Sequence, residues 1–190
     1  MKEYIEDVKK AVEVMRAGGI ILYPTDTIWG IGCDASNSVA VRRIFELKRR
    51  SDSKSMLSLI DSDAKLGYYV PDIPDVAYDL MDLAEKPLTI IYDNVRHMAP
   101  ELIAEDGSAG IRVTKEEFSR ELCRRMGGAV VSTSANISGQ PSPANFSEIS
   151  DEIRKGVDYI VEYRQTEQTR SVASGIIKLG SGGLVIVIRE

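Results

Sequence analysis

Short apolar runs that recur along the whole chain constrain its fold most strongly, because each has the length of a buried strand. These runs predict strands over 20–23, 56–60, 88–92, 109–113, 129–133, 157–163, 175–179 and 184–188. The intervening segments predict helices over 4–17, 39–49, 75–84, 115–126 and 147–155. Strands and helices mix without strict alternation, which favours an α/β fold with an open, twisted, mixed sheet and helices on its faces.

Length and composition narrow the class of protein. A chain of 190 residues suits one domain, so residues 1–190 are expected to form a single domain. The 24 basic and 29 acidic residues give a net charge of −5, which disfavours a strongly basic nucleic-acid binder. The chain starts without a signal-peptide pattern and its apolar runs are too short to span a bilayer, so a cytoplasmic protein is expected. Two distant cysteines and one histidine offer no zinc motif, and no residue is predicted as a metal ligand.

A polar turn follows the first predicted strand. Thr25, Asp26 and Thr27 begin the segment 24–34, which is predicted to be a loop. Ligands of α/β sheets bind beyond the carboxyl ends of strands, so these side chains could hold a small polar ligand or a metal ion. An ordinary Pro-Thr-Asp turn explains the same residues. The sequence leaves both interpretations open.

A basic island lies at the end of the second predicted helix. Residues 42–54 carry six basic and two acidic side chains, a net +4, so the other 177 residues sum to −9. Such an island is typical of a site for an anionic ligand, although the helix dipole also favours cations at this end. Lys48 follows Ile44 by four residues and Val41 by seven, which places it on the apolar stripe of the helix. The dipole does not explain a lysine on that face.

A row of small polar residues ends the strand predicted at 129–133. If the chain stays extended, Ser132, Ser134 and Asn136 point to one face and present donors and acceptors in a row. A polar strand end that runs into a turn is the simpler alternative. Arg112 stands inside another predicted strand, where an arginine is costly unless it is paired or faces a site. An edge-strand arginine that reaches solvent is the alternative there.

Taken in order, these clusters resemble the signatures of the YrdC family over nearly the whole chain. The segment 23–35, YPTDTIWGIGCDA, resembles the opening motif of that family. Lys48-Arg49-Arg50, followed by Lys54, resembles its KxR element, and Gly110-Ile111-Arg112-Val113 resembles its central arginine strand. The segment 132–139, STSANISG, matches its STSANxSG signature.

The resemblance implies a YrdC-like fold with a concave basic face and L-threonylcarbamoyladenylate synthase activity. ATP, L-threonine and bicarbonate or CO₂ would yield threonylcarbamoyl-AMP and pyrophosphate with the help of Mg²⁺, and partner proteins would transfer the threonylcarbamoyl group to tRNA. The residues that the resemblance assigns to catalysis are Lys48, Arg50, Ser134 and Asn136. Those assigned to ATP are Arg50, Lys54, Ser108, Ser134, Ser142 and Arg189. Those assigned to L-threonine are Thr27, Arg112, Ser132 and Ser174.

Two alternatives remain at this point. The basic island could bind tRNA or double-stranded RNA, in which case binding should weaken steeply with salt. The chain could also be a paralogue that kept the fold and lost the synthase activity. The retained Lys48, Arg50, Ser134 and Asn136 favour the enzyme over this paralogue.

Overall fold

The computed structural model describes residues 3–50, 56–180 and 184–190. The helices are α1 (Ile5–Arg16), α2 (Ser38–Lys48), α3 (Leu66–Tyr69), α4 (Asp75–Leu83), α5 (Glu117–Met126) and α6 (Asp151–Gly156). The strands are β1 (Ile21–Tyr23), β2 (Gly30–Gly32), β3 (Leu57–Ile60), β4 (Leu88–Tyr92), β5 (Ala109–Val113), β6 (Val130–Ser134), β7 (Tyr159–Ile160), β8 (Gly175–Leu179) and β9 (Val185–Arg189). No helix within the described ranges combines the length and the apolar composition that crossing a bilayer requires.

The described strands form one mixed sheet in the order β7-β1-β2-β6-β3-β5-β4-β8-β9. Three pairs, β1 with β7, β3 with β5 and β4 with β8, are parallel, and the other neighbours are antiparallel. The predicted mixed α/β fold is therefore confirmed. Strands β5 and β6, which carry the arginine and serine clusters, lie inside the sheet on either side of β3.

The helices form where the apolar spacing and the caps predict them. In α1, Val8, Val12 and Met15 are buried, and Gly18 ends the helix region at φ +85°, a conformation that glycine adopts without strain. In α2, the Asn37 side chain accepts a hydrogen bond from the Ala40 amide and so caps the first turn. The buried faces of both helices contribute to the hydrophobic core.

Strand β2 lies within the segment that the sequence predicts as a loop. Its two glycines break the apolar alternation that would predict a strand. They also let the β2 backbone lie close to β6 and β1. A Cβ atom on Gly32 would lie 2.5 Å from the Val131 carbonyl oxygen and 2.6 Å from the Tyr23 ring. Such contacts exclude any side chain, so this strand requires glycine where the usual strand formers are absent.

Two other boundaries differ from the predicted ones. The helix predicted at 147–155 begins only at Asp151, because Ser150 caps it with a hydrogen bond from the Ile153 amide, and a 3₁₀ turn precedes it. The strand predicted at 157–163 is confined to Tyr159–Ile160, where it pairs with β1. Both differences lie away from the polar clusters.

Candidate active site

Most of the predicted site residues line one cavity of about 200 Å³ above the middle of the sheet. Its walls come from the segment before β2 and from β3, β4, β5, β6, β8 and β9. The predicted residues that line it are Thr27, Arg50, Arg112, Ser132, Ser134, Ser142, Ser174 and Arg189. Residues that are distant in sequence thus face one space that mixes hydroxyl and guanidinium groups.

Lys48 ties the end of α2 to the end of β6. Its side chain is 1% exposed, which confirms the predicted place on the buried stripe. The Nζ atom donates to the backbone carbonyl oxygen of Ser134 and, across 2.7 Å, to that of Asn136. These carbonyl groups supply polar partners that a buried ammonium needs. The basic island and the serine-rich strand end are therefore one structural unit.

The end of α2 directs Arg50 into the cavity. Arg49 adopts the left-handed conformation at φ 49°, and the Arg50 amide donates to the Phe45 carbonyl oxygen at 2.9 Å. This left-handed ending reverses the chain after the helix, a conformation that costs a non-glycine residue about 1 kcal/mol. Arg50 then lines the same cavity as Arg112 and Arg189.

The charged forms of Arg50 and Arg189, which line the cavity, and of the nearby buried Lys48 are disfavoured. Burial, and then the charge of Arg50, lowers the pKa of Lys48 to about 7. Burial also lowers the pKa of Arg50, and burial together with the charge of Arg112 lowers that of Arg189. An anion bound among these groups would relieve their repulsion. The electrostatics therefore favour an anionic ligand.

Arg112 is buried in a central strand and is not an edge residue. Its side chain is 2% exposed, and β5 lies between β3 and β4. Its Nη2 atom forms an ion pair with Asp26 Oδ1 at 2.9 Å and donates to Thr27 Oγ1 at 3.3 Å. The Nε atom has no hydrogen-bond partner among the described residues. The guanidinium is thus held mainly through Nη2 and retains donor capacity.

The turn at residues 25–27 serves as both a turn and a wall of the site. Thr25 Oγ1 donates to the Ile28 carbonyl oxygen at 2.8 Å and accepts from the Thr27 amide at 3.0 Å, as in an ordinary hydroxyl-stabilised turn. Asp26 leaves this turn to pair with Arg112, and Thr27 lines the cavity. The turn interpretation is confirmed, and the assignment of this cluster to a ligand stays a prediction.

The chain does not stay extended as far as Asn136. Ser132 and Ser134 line the cavity, but β6 ends at Ser134. The Asn136 side chain instead donates from Nδ2 to the backbone carbonyl oxygens of Ile137 and Gln140, at 3.1 and 2.7 Å. The row was predicted for a chain that stays extended to Asn136. The alternative of a polar strand end that runs into a turn describes this residue, because Asn136 organises the loop after the strand. Its backbone carbonyl, rather than its side chain, contacts Lys48.

Two further predicted residues stand apart from the cavity lining. Ser108 is buried, but its amide and hydroxyl both donate to Asp106 Oδ1, at 3.0 and 2.6 Å. Asp106 is itself paired with Lys178 at 2.7 Å. Lys54 lies outside the described residues. The assignment of these two residues to ATP stays a prediction.

Two glycines keep the floor of the cavity open. Gly30 and Gly110 line it, on β2 and β5. A Cβ atom on Gly30 would lie 3.2 Å from Ser132 Oγ, and one on Gly110 would lie 3.3 Å from Thr89 Cγ2. Either side chain would project into the space that the hydroxyl groups surround.

Thr89 is a cavity residue that the sequence reasoning missed. It stands alone among the apolar residues of β4, is 1% exposed, and shares a hydrogen bond of 2.9 Å with Ser174. Its Oγ1 atom also accepts from Arg112 Nη1 at 3.5 Å. A lone threonine is common in strands because it is β-branched, so the only sequence signal was a hydroxyl inside an otherwise apolar run.

The basic island is largely neutralised by acidic residues. Arg42 pairs with Glu101 at 2.6 Å, Arg43 with Asp158 at 2.9 Å, and Arg49 with Glu152 at 2.6 Å. Lys48 is buried and donates to backbone carbonyl groups, so it does not add to the surface charge of the island. Over residues 42–50, the part of the island that the structure describes, these pairs argue against the unpaired basic stripe that binding to a nucleic-acid backbone requires.

Carboxylates do not gather around the cavity. No group of three or more His, Cys, Asp or Glu residues that could hold a metal ion occurs within residues 3–50, 56–180 and 184–190. The described lining offers hydroxyl groups, which are weak Mg²⁺ ligands when no carboxylate accompanies them.

Comparison with known proteins places the chain among related sequences. The Sua5_yciO_yrdC family model, described as "Telomere recombination", matches residues 13–190. A threonylcarbamoyl-AMP synthase of Stenotrophomonas maltophilia is 34% identical over 166 residues, 85% of this chain and 88% of the relative. A threonylcarbamoyl-AMP synthase of Idiomarina loihiensis is 33% identical over 147 residues, 76% of this chain and 79% of the relative.

A solved structure shows the same fold. The crystal structure of P. abyssi Sua5 complexed with L-threonine matches with a TM-score of 0.84 and 24% identity. The match covers 96% of this chain and 53% of the Sua5 chain, so this chain spans about half of the length of that protein.

Proposed function

The chain belongs to the Sua5/YciO/YrdC family, and from this premise we propose that it is a threonylcarbamoyl-AMP synthase, a nucleotidyltransferase. Its substrates would be ATP, L-threonine and bicarbonate or CO₂. The Lys48 contacts with the carbonyl groups of Ser134 and Asn136 carry the proposal, because they join the basic helix end and the serine-rich strand end around one cavity.

The cavity lining offers groups for two kinds of ligand. Arg112 carries unused donor capacity and shares the cavity with the hydroxyl groups of Thr27, Ser132 and Ser174, which suits the carboxylate and the polar groups of threonine. Arg50 and Arg189, together with Ser134 and Ser142, line the same cavity and suit phosphate groups. An enclosed volume of about 200 Å³ is below the roughly 300–1,000 Å³ of pockets for drug-sized ligands. We assign the enclosed part to threonine and the open side to the nucleotide.

The reaction requires positioning and charge stabilisation. The threonine amine first combines with CO₂ to give a carbamate and releases a proton. A carbamate oxygen then attacks the α-phosphorus of ATP, the new O–P bond forms, and the bond to pyrophosphate breaks. Two anions must approach each other and a more highly charged group must leave, so fixed cations should supply most of the catalysis. Arg50 and Arg189, with Lys54 by resemblance, would stabilise that charge.

Mg²⁺ is proposed to arrive with ATP. The described lining lacks a carboxylate, so this chain does not offer a preformed Mg²⁺ site there. The phosphate oxygens of the nucleotide are the ligands that Mg²⁺ prefers in such reactions. The ion would therefore be a partner of the substrate.

The product is proposed to pass to proteins that transfer the threonylcarbamoyl group to tRNA. The paired arginines of the basic island argue against direct RNA binding as the main role. A gel shift with tRNA at physiological salt tests that alternative. Strong, salt-sensitive binding that ATP does not affect would support an RNA-binding module instead.

The enzyme proposal is tested by pyrophosphate release. The full chain is incubated with ATP, Mg²⁺ and bicarbonate, with and without L-threonine. We expect release that depends on threonine and that falls at least about 100-fold in Arg50→Ala, the magnitude found when one charge-stabilising donor is lost. Arg42→Ala, whose partner Glu101 lies outside the cavity, is the matched control and should retain activity. Release without threonine dependence, or an unaffected Arg50→Ala variant, would favour the paralogue without synthase activity.

A further inference from the structure

Thr89 bridges two residues that the proposed function assigns to threonine. Its Oγ1 atom lies 2.9 Å from Ser174 Oγ and 3.5 Å from Arg112 Nη1. Thr89 is 1% exposed and Ser174 is 3% exposed, and both line the cavity. Polar groups buried to this degree are almost always hydrogen-bonded, so both hydroxyl groups depend on these partners.

The guanidinium group fixes the direction of one of these two hydrogen bonds. An arginine N–H can only donate, so Thr89 Oγ1 accepts from Arg112. Between Thr89 and Ser174 either hydroxyl can be the donor, and donation from Thr89 gives the Thr89 proton an acceptor, Ser174 Oγ. In that arrangement Ser174 accepts this bond and keeps its own proton for the cavity. The Ser174 hydroxyl therefore faces a ligand as a donor.

The Thr27 hydroxyl, which contacts the other terminal nitrogen of Arg112, is polarised in the other sense. The Thr25 hydroxyl proton is used on the Ile28 carbonyl oxygen, so Thr25 Oγ1 accepts from Thr27 Oγ1 across 3.0 Å. Thr27 Oγ1 also accepts from Arg112 Nη2. With its proton committed to Thr25, Thr27 faces the cavity with a lone pair. It is an acceptor toward a ligand.

We propose that Thr89 is a positioning residue that makes Ser174 a hydrogen-bond donor toward the cavity. Because Arg112 donates to both Thr89 and Thr27, the cavity then has a donor at Ser174 and an acceptor at Thr27. This inference rests on the proposed function and deepens it. A zwitterionic amino acid would place its carboxylate toward Ser174 and Arg112 and its amino group toward Thr27. The amino group must carry the carbamate, so this orientation also decides where the new carboxylate forms.

Binding of L-threonine to the full chain, measured by calorimetry, tests the role of Thr89. Thr89→Val keeps the shape and removes the hydroxyl, and we expect about ten-fold weaker binding of L-threonine, the effect of losing one hydrogen bond to a charged group. Thr89→Ser restores the hydroxyl and should bind within two-fold of the wild type. Thr114→Val is the matched control, because Thr114 is also buried and shares a 2.8 Å hydrogen bond with Ser119.

L-threoninamide separates positioning from general damage to the fold. It lacks the carboxylate, so Thr89→Val should weaken L-threonine binding and leave L-threoninamide binding within two-fold. A structural collapse would weaken both ligands equally. If Thr89 acts through Ser174, the Thr89→Val substitution should have less than a two-fold effect in a Ser174→Ala background.

The outcomes separate this inference from the proposed function. The inference is overturned if the wild type and Thr89→Val bind L-threonine equally. It is also overturned if the losses of affinity from Thr89→Val and Ser174→Ala add fully in the double variant. Either result leaves the synthase proposal intact. Wild type that binds L-threonine through Thr89 but releases no pyrophosphate would support the inference and contradict the synthase proposal. Wild type that does not bind L-threonine would overturn both.

Discussion

The Lys48 ammonium group donates to the Asn136 carbonyl oxygen across 2.7 Å, although the two residues lie 88 positions apart. The same ammonium group donates to the Ser134 carbonyl oxygen. Lys48 thus fixes the loop that follows β6, while the left-handed residue after it places Arg50 in the cavity. One buried cation therefore aligns the two sequence clusters on which the proposed chemistry depends.

Replacing Lys48 should abolish most of the activity. Lys48→Met keeps the length and apolar character of the side chain but leaves both carbonyl groups without their donor. We expect kcat/KM for pyrophosphate release to fall at least about 100-fold, equivalent to about 2.7 kcal/mol of transition-state stabilisation. Lys9→Met is the control, because Lys9 forms only an exposed pair with Glu6. Equal activity of the two variants would contradict the positioning role of Lys48.

The same lysine should give the fold a characteristic pH dependence. The pKa of Lys48 is lowered from 10.5 to about 7 by burial and by the charge of Arg50. Between these two values the unfolded chain binds a proton that the folded chain does not, so the free energy of unfolding rises with pH, by about 1.4 kcal/mol per pH unit. Below pH 7 both states are protonated and this contribution is constant.

Urea unfolding measures this effect as a difference. We expect the wild type to gain stability relative to Lys48→Met as the pH rises from 7 toward 10. Other titrating groups cancel in the comparison. A difference that does not change with pH, or that falls over this range, would show that Lys48 keeps its ordinary pKa.

The buried pair of Asp26 and Arg112 should be important for stability. The side chains are 11% and 2% exposed, so Asp26→Asn leaves a buried guanidinium without its charge partner. We expect a loss of about 3–5 kcal/mol in the free energy of unfolding. Glu152→Gln breaks the exposed pair with Arg49 and should cost less than about 1 kcal/mol. Urea titrations of both variants check the contrast, and similar losses would argue against a structural role for the Asp26 pair.

A methyl group at Gly110 should obstruct the threonine end of the cavity. Its Cβ would lie 3.3 Å from Thr89 Cγ2 and 3.5 Å from Leu57 Cβ. We expect Gly110→Ala to raise the KM for L-threonine about ten-fold, as expected for a loss of about 1.4 kcal/mol of binding. Gly67→Ala is the matched control, because no described atom lies within 4 Å of the added Cβ. Unchanged KM values for L-threonine in Gly110→Ala would place the amino acid elsewhere.

Local periodicity was enough to predict the order of most elements and the placement of Lys48. Lys48 was identifiable because a cation on an apolar stripe conflicts with simple packing. Strand β2 was not identifiable, since its glycines are required by contacts with Val131 and Tyr23 from other parts of the sheet. Such contacts are formed only in the folded chain and leave no local pattern.

The polar clusters were informative about which residues matter and less so about their contacts. Alternation placed Ser132 and Ser134 correctly, but Asn136 left the row because its side chain satisfies backbone carbonyl groups in the following loop. Thr89 was missed because its significance comes from Arg112 and Ser174, which are far away in sequence. Hydrogen-bond partners of this kind depend on strand order, and the sequence did not determine that order.

Mass spectrometry of the reaction product tests the central proposal most directly. The full chain is incubated with ATP, Mg²⁺, L-threonine and carbon-13 bicarbonate, and the nucleotide products are separated at early times. We expect an AMP adduct that contains one threonine and one labelled carbon and that is absent when Lys48→Met replaces the wild type. The synthase proposal is contradicted if a wild-type protein that is folded and binds ATP yields only AMP or ADP without the threonine and the label.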